Sequence, residues 1–269
     1  MNKRIGIIAG NKNLPLVAAQ RARREGYDVY ACAIRGETDP FIENCAEKTI
    51  WTKLGQLGKV IRFFRDNEVN ECFLAGKITK TNILKGDIVP DFDMVCALSS
   101  VANWKDDTLL GSICSYLDGK GIRVSESTKF LEPLLAKPMV YTKRKPSRTQ
   151  LDDVEFGWHL AKEMGRLDIG QTVVVKNKAI IAVEAIEGTD EAIRRGGSLG
   201  GAETVVVKVA KPNQDMRFDV PVIGMRTLES LVAARVRVVA VEARKTLVLD
   251  ERLLIDQLNR EKMIFLGKD

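Results

Sequence analysis

Between Lys211 and Pro221 the chain reads KPNQDMRFDVP, with two carboxylates, a guanidinium, an ammonium and two amides braced by Pro212 and Pro221. An ordinary connection between regular elements needs only about 2–6 residues and a cap. Prolines reduce the freedom of a loop, so its side chains are better preorganised than most. In an extended segment side chains alternate, which predicts Asp215, Arg217 and Asp219 on one side and Met216, Phe218 and Val220 packed on the other. Two carboxylates separated by a guanidinium can hold a divalent cation, orient a water and brace a phosphate. The same charges can also close into a purely structural salt-bridge knot.

Four other stretches have chemical content. In IIAGNKNLP, a glycine closes an apolar strand just before a helix, placing backbone N–H groups and a positive helix end where an anion can sit. Gly10, Asn11, Lys12, Asn13, Leu14 and Pro15 are the residues of that turn. It is not the dinucleotide fingerprint: glycines are missing at Lys12 and Pro15, and no acidic residue closes the second strand. In FLAGKI, Gly76-Lys77 delivers a lysine to the carboxyl edge of a sheet, either as a counter-charge for a diphosphate or as an ordinary surface lysine. In WKDDTLL, Asp106 and Asp107 precede a helix, and Asp107 has the residue type of an N-cap. Asp168 and Gln171 in DIGQTVVV, and Gly188-Thr189-Asp190 in AIEGTDEAIRR, fit capping and turn chemistry, or they line one cleft from neighbouring strand ends.

Composition narrows the chemistry. The chain of 269 residues is 45% hydrophobic and 29% charged, which suits a soluble globular protein of one or two domains. No apolar run reaches the ~20 residues of a bilayer crossing, and the start of the chain lacks the apolar core of a signal peptide, so a cytoplasmic location is expected. The lone histidine, His159, excludes multi-histidine metal sites. Five cysteines without a Cys-x-x-Cys pair are expected as buried free thiols. A net charge of +6 suits a nucleic acid, an anionic membrane surface or a phosphorylated substrate. With 6% aromatics there are few stacking platforms, and no nucleic-acid motif is present, which disfavours a nucleic-acid-binding module.

Strands RIGIIAG, DVYACAI, ECFLAGKI and IRVSEST alternate with helices over residues 1–133, which predicts a Rossmann-like α/β domain with a parallel sheet. The helices include LPLVAAQRARREGY, LGQLGKVIRFFRDNEV and two stretches around DMVCALSSVANW and TLLGSICSYLDGKG. Residues 134–150 read as a basic linker, with Lys143, Arg144, Lys145 and Arg148 as either a solvated surface or a contact for an anionic headgroup. Residues 151–269 predict a distinct α/β domain with a mixed sheet, including a hairpin that turns at Asn177-Lys178.

GIIAGNKNLP, FLAGKI, DDTLL, LDIGQTVVVKNKAIIAVEAIEGTDEAIRR and VVKVAKPNQDMRFDVPVIG together resemble the UDP-2,3-diacylglucosamine pyrophosphatases of lipid A biosynthesis. The type meant is metal-dependent and unrelated to the calcineurin-like phosphoesterases, and the resemblance spans essentially the whole chain. It implies hydrolysis of UDP-2,3-diacylglucosamine to UMP and 2,3-diacylglucosamine 1-phosphate (lipid X), with Mg²⁺ as cofactor. The substrate is expected between the two domains, with water attacking the glucosamine-side phosphorus. The important aspartate of the family's Arg-Phe-Asp motif falls on Asp219; Asp215 and Arg217 join it as catalytic candidates, and both aspartates as metal ligands. Lys211 and Gln214 join Gln171, Thr189, Asp190, Lys77 and the first turn as substrate-binding candidates. The family's first turn usually reads Ala-Gly-x-Gly-x-Leu-Pro; Asn13 is expected at the second glycine, where asparagine tolerates positive φ. A peripheral association with the anionic cytoplasmic face of the inner membrane and a homodimer are also expected. The alternative is another nucleotide-sugar or NAD(P)-binding enzyme using the N-terminal domain.

Overall fold

The computed structural model describes residues 3–78, 89–99, 106–212 and 214–269, with only the backbone of 106–108. Two units result, and the division does not follow the chain simply: Met1–Leu131 and Asp215–Asp219 form the first, Glu132–Gln214 and Val220–Asp269 the second.

The first unit follows from apolar strands too hydrophobic to face water on either side. Strands β1 (Lys3–Ala9), β2 (Tyr27–Ile34), β3 (Lys48–Thr52), β4 (Glu71–Ala75) and β5 (Arg123–Val124) lie in the order β3-β2-β1-β4-β5. All pairs are parallel, with Ile5 opposite Val29 and Gly6 opposite Cys72. Helices α1 (Leu14–Arg24), α2 (Leu57–Asp66), α3 (Phe92–Leu98) and α4 (Asp106–Gly119) accompany them. Leu57, Val60, Ile61 and Phe64 recur at helical spacing and are the buried residues of α2. Strand β3 is absent from the sequence reading because its edge position leaves KTIWT only partly covered, while IRVSEST pairs only at its start. Helix α4 takes in both Asp106 and Asp107, so Asp107 is not its N-cap. Residues 100–104 of the expected helix around DMVCALSSVANW lie outside the described residues. Four cysteines are buried, Cys96 is half-buried, and all five are free thiols, as expected.

The first α-helix of the second unit is α5 (Arg148–Arg166), opened by a capping box between Ser147 and Gln150. Its sheet is β12 (Ile264–Lys268), β10 (Val238–Glu242), β8 (Val205–Lys208), β6 (Thr172–Lys176) and β7 (Ala179–Val183), in that order. The first three are mutually parallel, and β6 runs antiparallel to both its neighbours. Asn177 and Lys178 turn the β6–β7 hairpin with φ of 51° and 57°, the left-handed pair that a two-residue hairpin favours. Both their N–H groups donate to the Asp153 carboxylate, at 3.0 and 2.6 Å. Helices α6 (Thr189–Gly200), α7 (Met225–Ala233) and α8 (Glu251–Arg260) and the short parallel pair β9 (Val222–Ile223) and β11 (Leu247–Val248) complete it. Val174, Ile193, Val206, Leu231 and Phe265 belong to one of its cores, and Val154, Trp158, Val173 and Val207 to another.

Residues 134–150, expected as a linker, are tied into this second unit. Ala136 N–H donates to Thr246 O at 2.8 Å, Tyr141 N–H to Phe265 O at 2.9 Å, and the Tyr141 ring stacks on Phe265 at 4.8 Å. Their basic composition hid the apolar residues Ala136, Val140 and Tyr141, which find partners there. Lys143, Arg144, Lys145 and Arg148 stay exposed.

Candidate active site at the carboxyl edge of the first sheet

Strand β1 leads away to β2 and β3 on one side, while its other neighbour β4 leads to β5. The crevice beyond the carboxyl ends of such a pair is where open parallel sheets take ligands. Here the loops after β1 and β4 are pressed together. Gly10 N–H donates to Ala75 O and Asn11 N–H to Lys77 O, both at 2.8 Å. A Cβ on Gly10 would lie 2.5 Å from Lys77 O. Gly76, at φ +89°, could carry one only 2.5 Å from Asn11 O. Asn11 Nδ2 is held by Glu37 Oε2 at 2.7 Å, Pro15 is buried in α1, and Lys77 is exposed.

The turn corrects one expectation. The left-handed residue is Lys12, at φ 68°, whereas Asn13 has φ −79° and caps α1 through its backbone alone. Counting back from Leu14-Pro15, the second glycine of the family pattern aligns with Lys12. A lysine there carries the steric cost of a Cβ in left-handed backbone, about 1–2 kcal/mol. Lys12→Gly is expected to raise unfolding stability by ~1 kcal/mol, measured by chemical denaturation.

Residues 215–219 do not run extended. Phe218 and Asp219 N–H both donate to Asp215 O, at 3.2 and 3.1 Å, closing a single helical turn. The alternation expected for Asp215, Arg217 and Asp219 is therefore replaced by i, i+4 spacing, which still puts the two aspartates on one side. Arg217 folds back on Asp215, with Nε 3.0 Å from Oδ1 and Nη2 2.6 Å from Oδ2, while its own N–H donates to Oδ1 at 3.0 Å. These bonds hold the Asp215 carboxyl below the usual carboxylate range and raise Arg217 further, so both stay ionised at neutral pH. A second carboxylate, Asp118 at the end of α4, has Oδ2 3.7 Å from Arg217 Nη1, and its Oδ1 accepts from Val124 N–H at 2.7 Å. Burial pushes the nearby Cys114 thiol up to about 12, against the pull of Arg217, so it is a neutral core group and not a nucleophile.

The turn is seated on the first sheet by backbone and by packing. Phe218 packs against the core cluster that contains Cys114 and Leu117. Ser127, just beyond β5, donates its N–H to Met216 O at 3.0 Å. Its hydroxyl lies 2.6 Å from Arg217 O and also bonds Leu74 O of β4, two residues before Gly76. The acidic turn and the β1 and β4 loops thus share one sheet edge.

The donor set bears on the expected cation. Both Asp215 oxygens are engaged by Arg217, and no group of three or more His, Cys, Asp or Glu side chains that could hold a metal ion occurs among the described residues. Asp219 is the carboxylate of the turn that Arg217 does not engage in this way, and Mg²⁺ is a cation that accepts one carboxylate together with waters and substrate phosphate.

The remaining candidates belong to the second unit. Lys211 Nζ donates to Asp168 Oδ1 at 2.8 Å, and Gln214 Oε1 accepts from Lys211 N–H at 2.6 Å. Gln171 is buried at the start of β6. Thr189 opens α6, donating to Glu184 Oε1 at 2.9 Å and accepting from Lys208 Nζ at 3.1 Å. Asp190, in the first turn of α6, complements the helix dipole. Glu184, Lys208, Asp118 and Ser127 carry no chemical signal in the sequence; Asp118 in DGKG and Ser127 in SEST read as a helix end and a strand. Asn213 of KPNQDMRFDVP, and the side chains of Asp106 and Asp107, lie outside the described residues.

A parallel sheet whose β1 and β4 loops meet closely at Gly10 and Gly76, with a guanidinium paired to a carboxylate at the same edge, defines an α/β protein with a candidate ligand crevice at its switch point. The LpxI N-terminal domain family matches residues 4–134 and the LpxI C-terminal domain family residues 137–266; the chain belongs to the LpxI family. The UDP-2,3-diacylglucosamine pyrophosphatase LpxI of Caulobacter vibrioides is 27% identical over 278 residues, covering 99% of this chain and 98% of that protein. A solved ADP complex of N5-carboxyaminoimidazole ribonucleotide synthetase has a TM-score of 0.30 at 13% identity, over 65% of this chain and 32% of that one, too slight a likeness to bear on fold or function.

Proposed function

We infer that this protein hydrolyses the pyrophosphate bond of UDP-2,3-diacylglucosamine, releasing UMP and 2,3-diacylglucosamine 1-phosphate. The observation that carries this reading is the match of both LpxI families, in order, together with an end-to-end relative bearing that activity in its name. Neither points to a nicotinamide or transferase enzyme.

The residues at the sheet edge suit the reaction. Cleaving a diphosphate requires charge on nonbridging and leaving oxygens to be neutralised and a water to be aimed at phosphorus. Gly10 and Asn11 N–H groups are committed to β4 and its loop, so the positive end of α1 is the anion-facing feature of the first turn. Arg217 spends Nε and Nη2 on Asp215, which fixes the plane of the guanidinium; its further donors are assigned to phosphate oxygens. Asp215 is thereby the support of Arg217. Asp219 is assigned to Mg²⁺ or to the attacking water. Bound Mg²⁺ would supply charge neutralisation on the diphosphate. Lys77, and in the second unit Gln171, Thr189, Asp190, Lys211 and Gln214, are assigned to substrate contacts. UMP is a good leaving group, so no histidine acid is needed.

The exposed Lys143, Arg144, Lys145 and Arg148 support peripheral binding to an anionic cytoplasmic leaflet, where a two-chain lipid substrate resides. Among the described residues no helix is long and apolar enough to cross a membrane. A homodimer is the proposed assembly.

The test is direct: incubate the protein with UDP-2,3-diacylglucosamine and Mg²⁺, alone and with EDTA, and quantify UMP and the lipid 1-phosphate. Equimolar products without any acceptor, lost in EDTA and restored by excess Mg²⁺, are expected. Absence of UMP overturns the reaction; undiminished activity in EDTA overturns the metal.

A further inference from the structure

We propose that Ser127 is a positioning residue for the catalytic turn, holding Asp215–Asp219 in register with the carboxyl end of β4. The inference rests on the reading above that this turn carries the chemistry. All the atoms involved lie in the first unit.

Ser127 is 3% exposed, and it is spent on two elements at once. Its N–H donates to Met216 O at 3.0 Å. Its hydroxyl sits between two carbonyls, Arg217 O at 2.6 Å and Leu74 O. A serine hydroxyl has one proton, so a single O–H is shared between the strand and the turn. Leu74 lies one residue before Ala75, whose carbonyl receives Gly10 N–H. Ser127 therefore joins the backbone that carries Arg217 to the strand that fixes the β1 loop. Other holds on the turn in this unit include the Phe218 ring in the core and the 3.7 Å approach of Arg217 to Asp118. The first restrains a side chain, and the second is too long for a hydrogen bond.

Removing the hydroxyl leaves two carbonyls without their shared donor and loosens the turn's tie to β4, while the Ser127 N–H bond to Met216 O and the diphosphate-facing groups are untouched. Catalytic groups lose efficiency steeply when displaced by as little as ~1 Å. The effect should fall on turnover, because Arg217 and Asp219 act on charge that develops in the transition state.

The experiment compares the full chain with Ser127→Ala, Ser127→Thr and Ser127→Cys. Hydrogen exchange is followed in the peptide spanning 215–219, and kcat and KM for UDP-2,3-diacylglucosamine are measured in parallel. In Ser127→Ala, exchange at 217–219 is expected to rise at least ~10-fold with the β1 peptide unchanged, and kcat to fall ~10–100-fold with KM within about twofold. Ser127→Thr, which keeps the hydroxyl, should restore both. Ser127→Cys, a weak donor of similar size, should lie between them and decides the matter should the alanine variant not fold. Unchanged exchange at 217–219 overturns the positioning role and leaves the assigned reaction standing. Faster exchange with unchanged kcat shows that the turn is held by Ser127 but takes no part in turnover, which overturns both the role and the catalytic assignment beneath it.

Discussion

Asp219→Asn is expected to lower kcat for UDP-2,3-diacylglucosamine hydrolysis by ~10²–10⁴-fold, the range typical of losing a positioned acid–base or metal-binding carboxylate. The change is nearly isosteric. The turn's backbone bonds from Phe218 and Asp219 N–H to Asp215 O do not involve the Asp219 side chain, so they survive the substitution. The contrast with Asp215→Asn makes the result diagnostic. Asp215 gives both oxygens to Arg217, and its neutralisation should act through a guanidinium that has lost its bidentate partner. Excess Mg²⁺ should recover part of the activity of Asp219→Asn by mass action if that carboxylate holds the cation, and none of the activity of Asp215→Asn. Asp219→Asn with undiminished turnover would remove the carboxylate on which the assigned chemistry depends.

The second large effect is expected at a residue with no reactive group. Gly76→Ala should cost about 2–5 kcal/mol, the sum of a Cβ in left-handed backbone and of overpacking against a neighbour that cannot give way. The residue sits at φ +89°, and its Cβ would meet Asn11 O at 2.5 Å and the Gly10 carbonyl carbon at 2.9 Å. Those are backbone atoms anchored by the bonds from Gly10 to Ala75 and from Asn11 to Lys77, so the strain must part the two loops. Denaturant titration should show the loss of stability. KM should rise in whatever fraction remains folded, because the same loops form the proposed diphosphate crevice. Gly121→Ala is the control: it also has positive φ, at +82°, but no atom within 4 Å of the added Cβ, so it should show the backbone cost alone.

Local chemistry determined much of this protein. Apolar strands such as RIGIIAG are buried wherever they pair, and Asn177-Lys178 turns the hairpin because its neighbours need a two-residue left-handed connection. The uncommon motifs likewise mark its family. Short-range patterning misled where the outcome depended on distant partners. KTIWT is a strand because β2 offers it an edge, and residues 134–150 belong to the second unit because β11 and β12 accept their backbone. The left-handed residue of the first turn is Lys12 because Leu14-Pro15 must already open the helix.

Sequence alone could nominate Asp215, Arg217 and Asp219, since their types and crowding are local facts. It could not say that they form a helical turn, that Asp215 is consumed by Arg217, or that the turn belongs with residues 1–131. Those outcomes depend on Ser127, Asp118 and the core around Phe218, which lie about 90 or more positions away along the chain and carry no periodic signal toward the loop. A residue type sets which bonds a side chain can make. Only the folded backbone, by bringing distant donors within about 3 Å, decides which of them it does make.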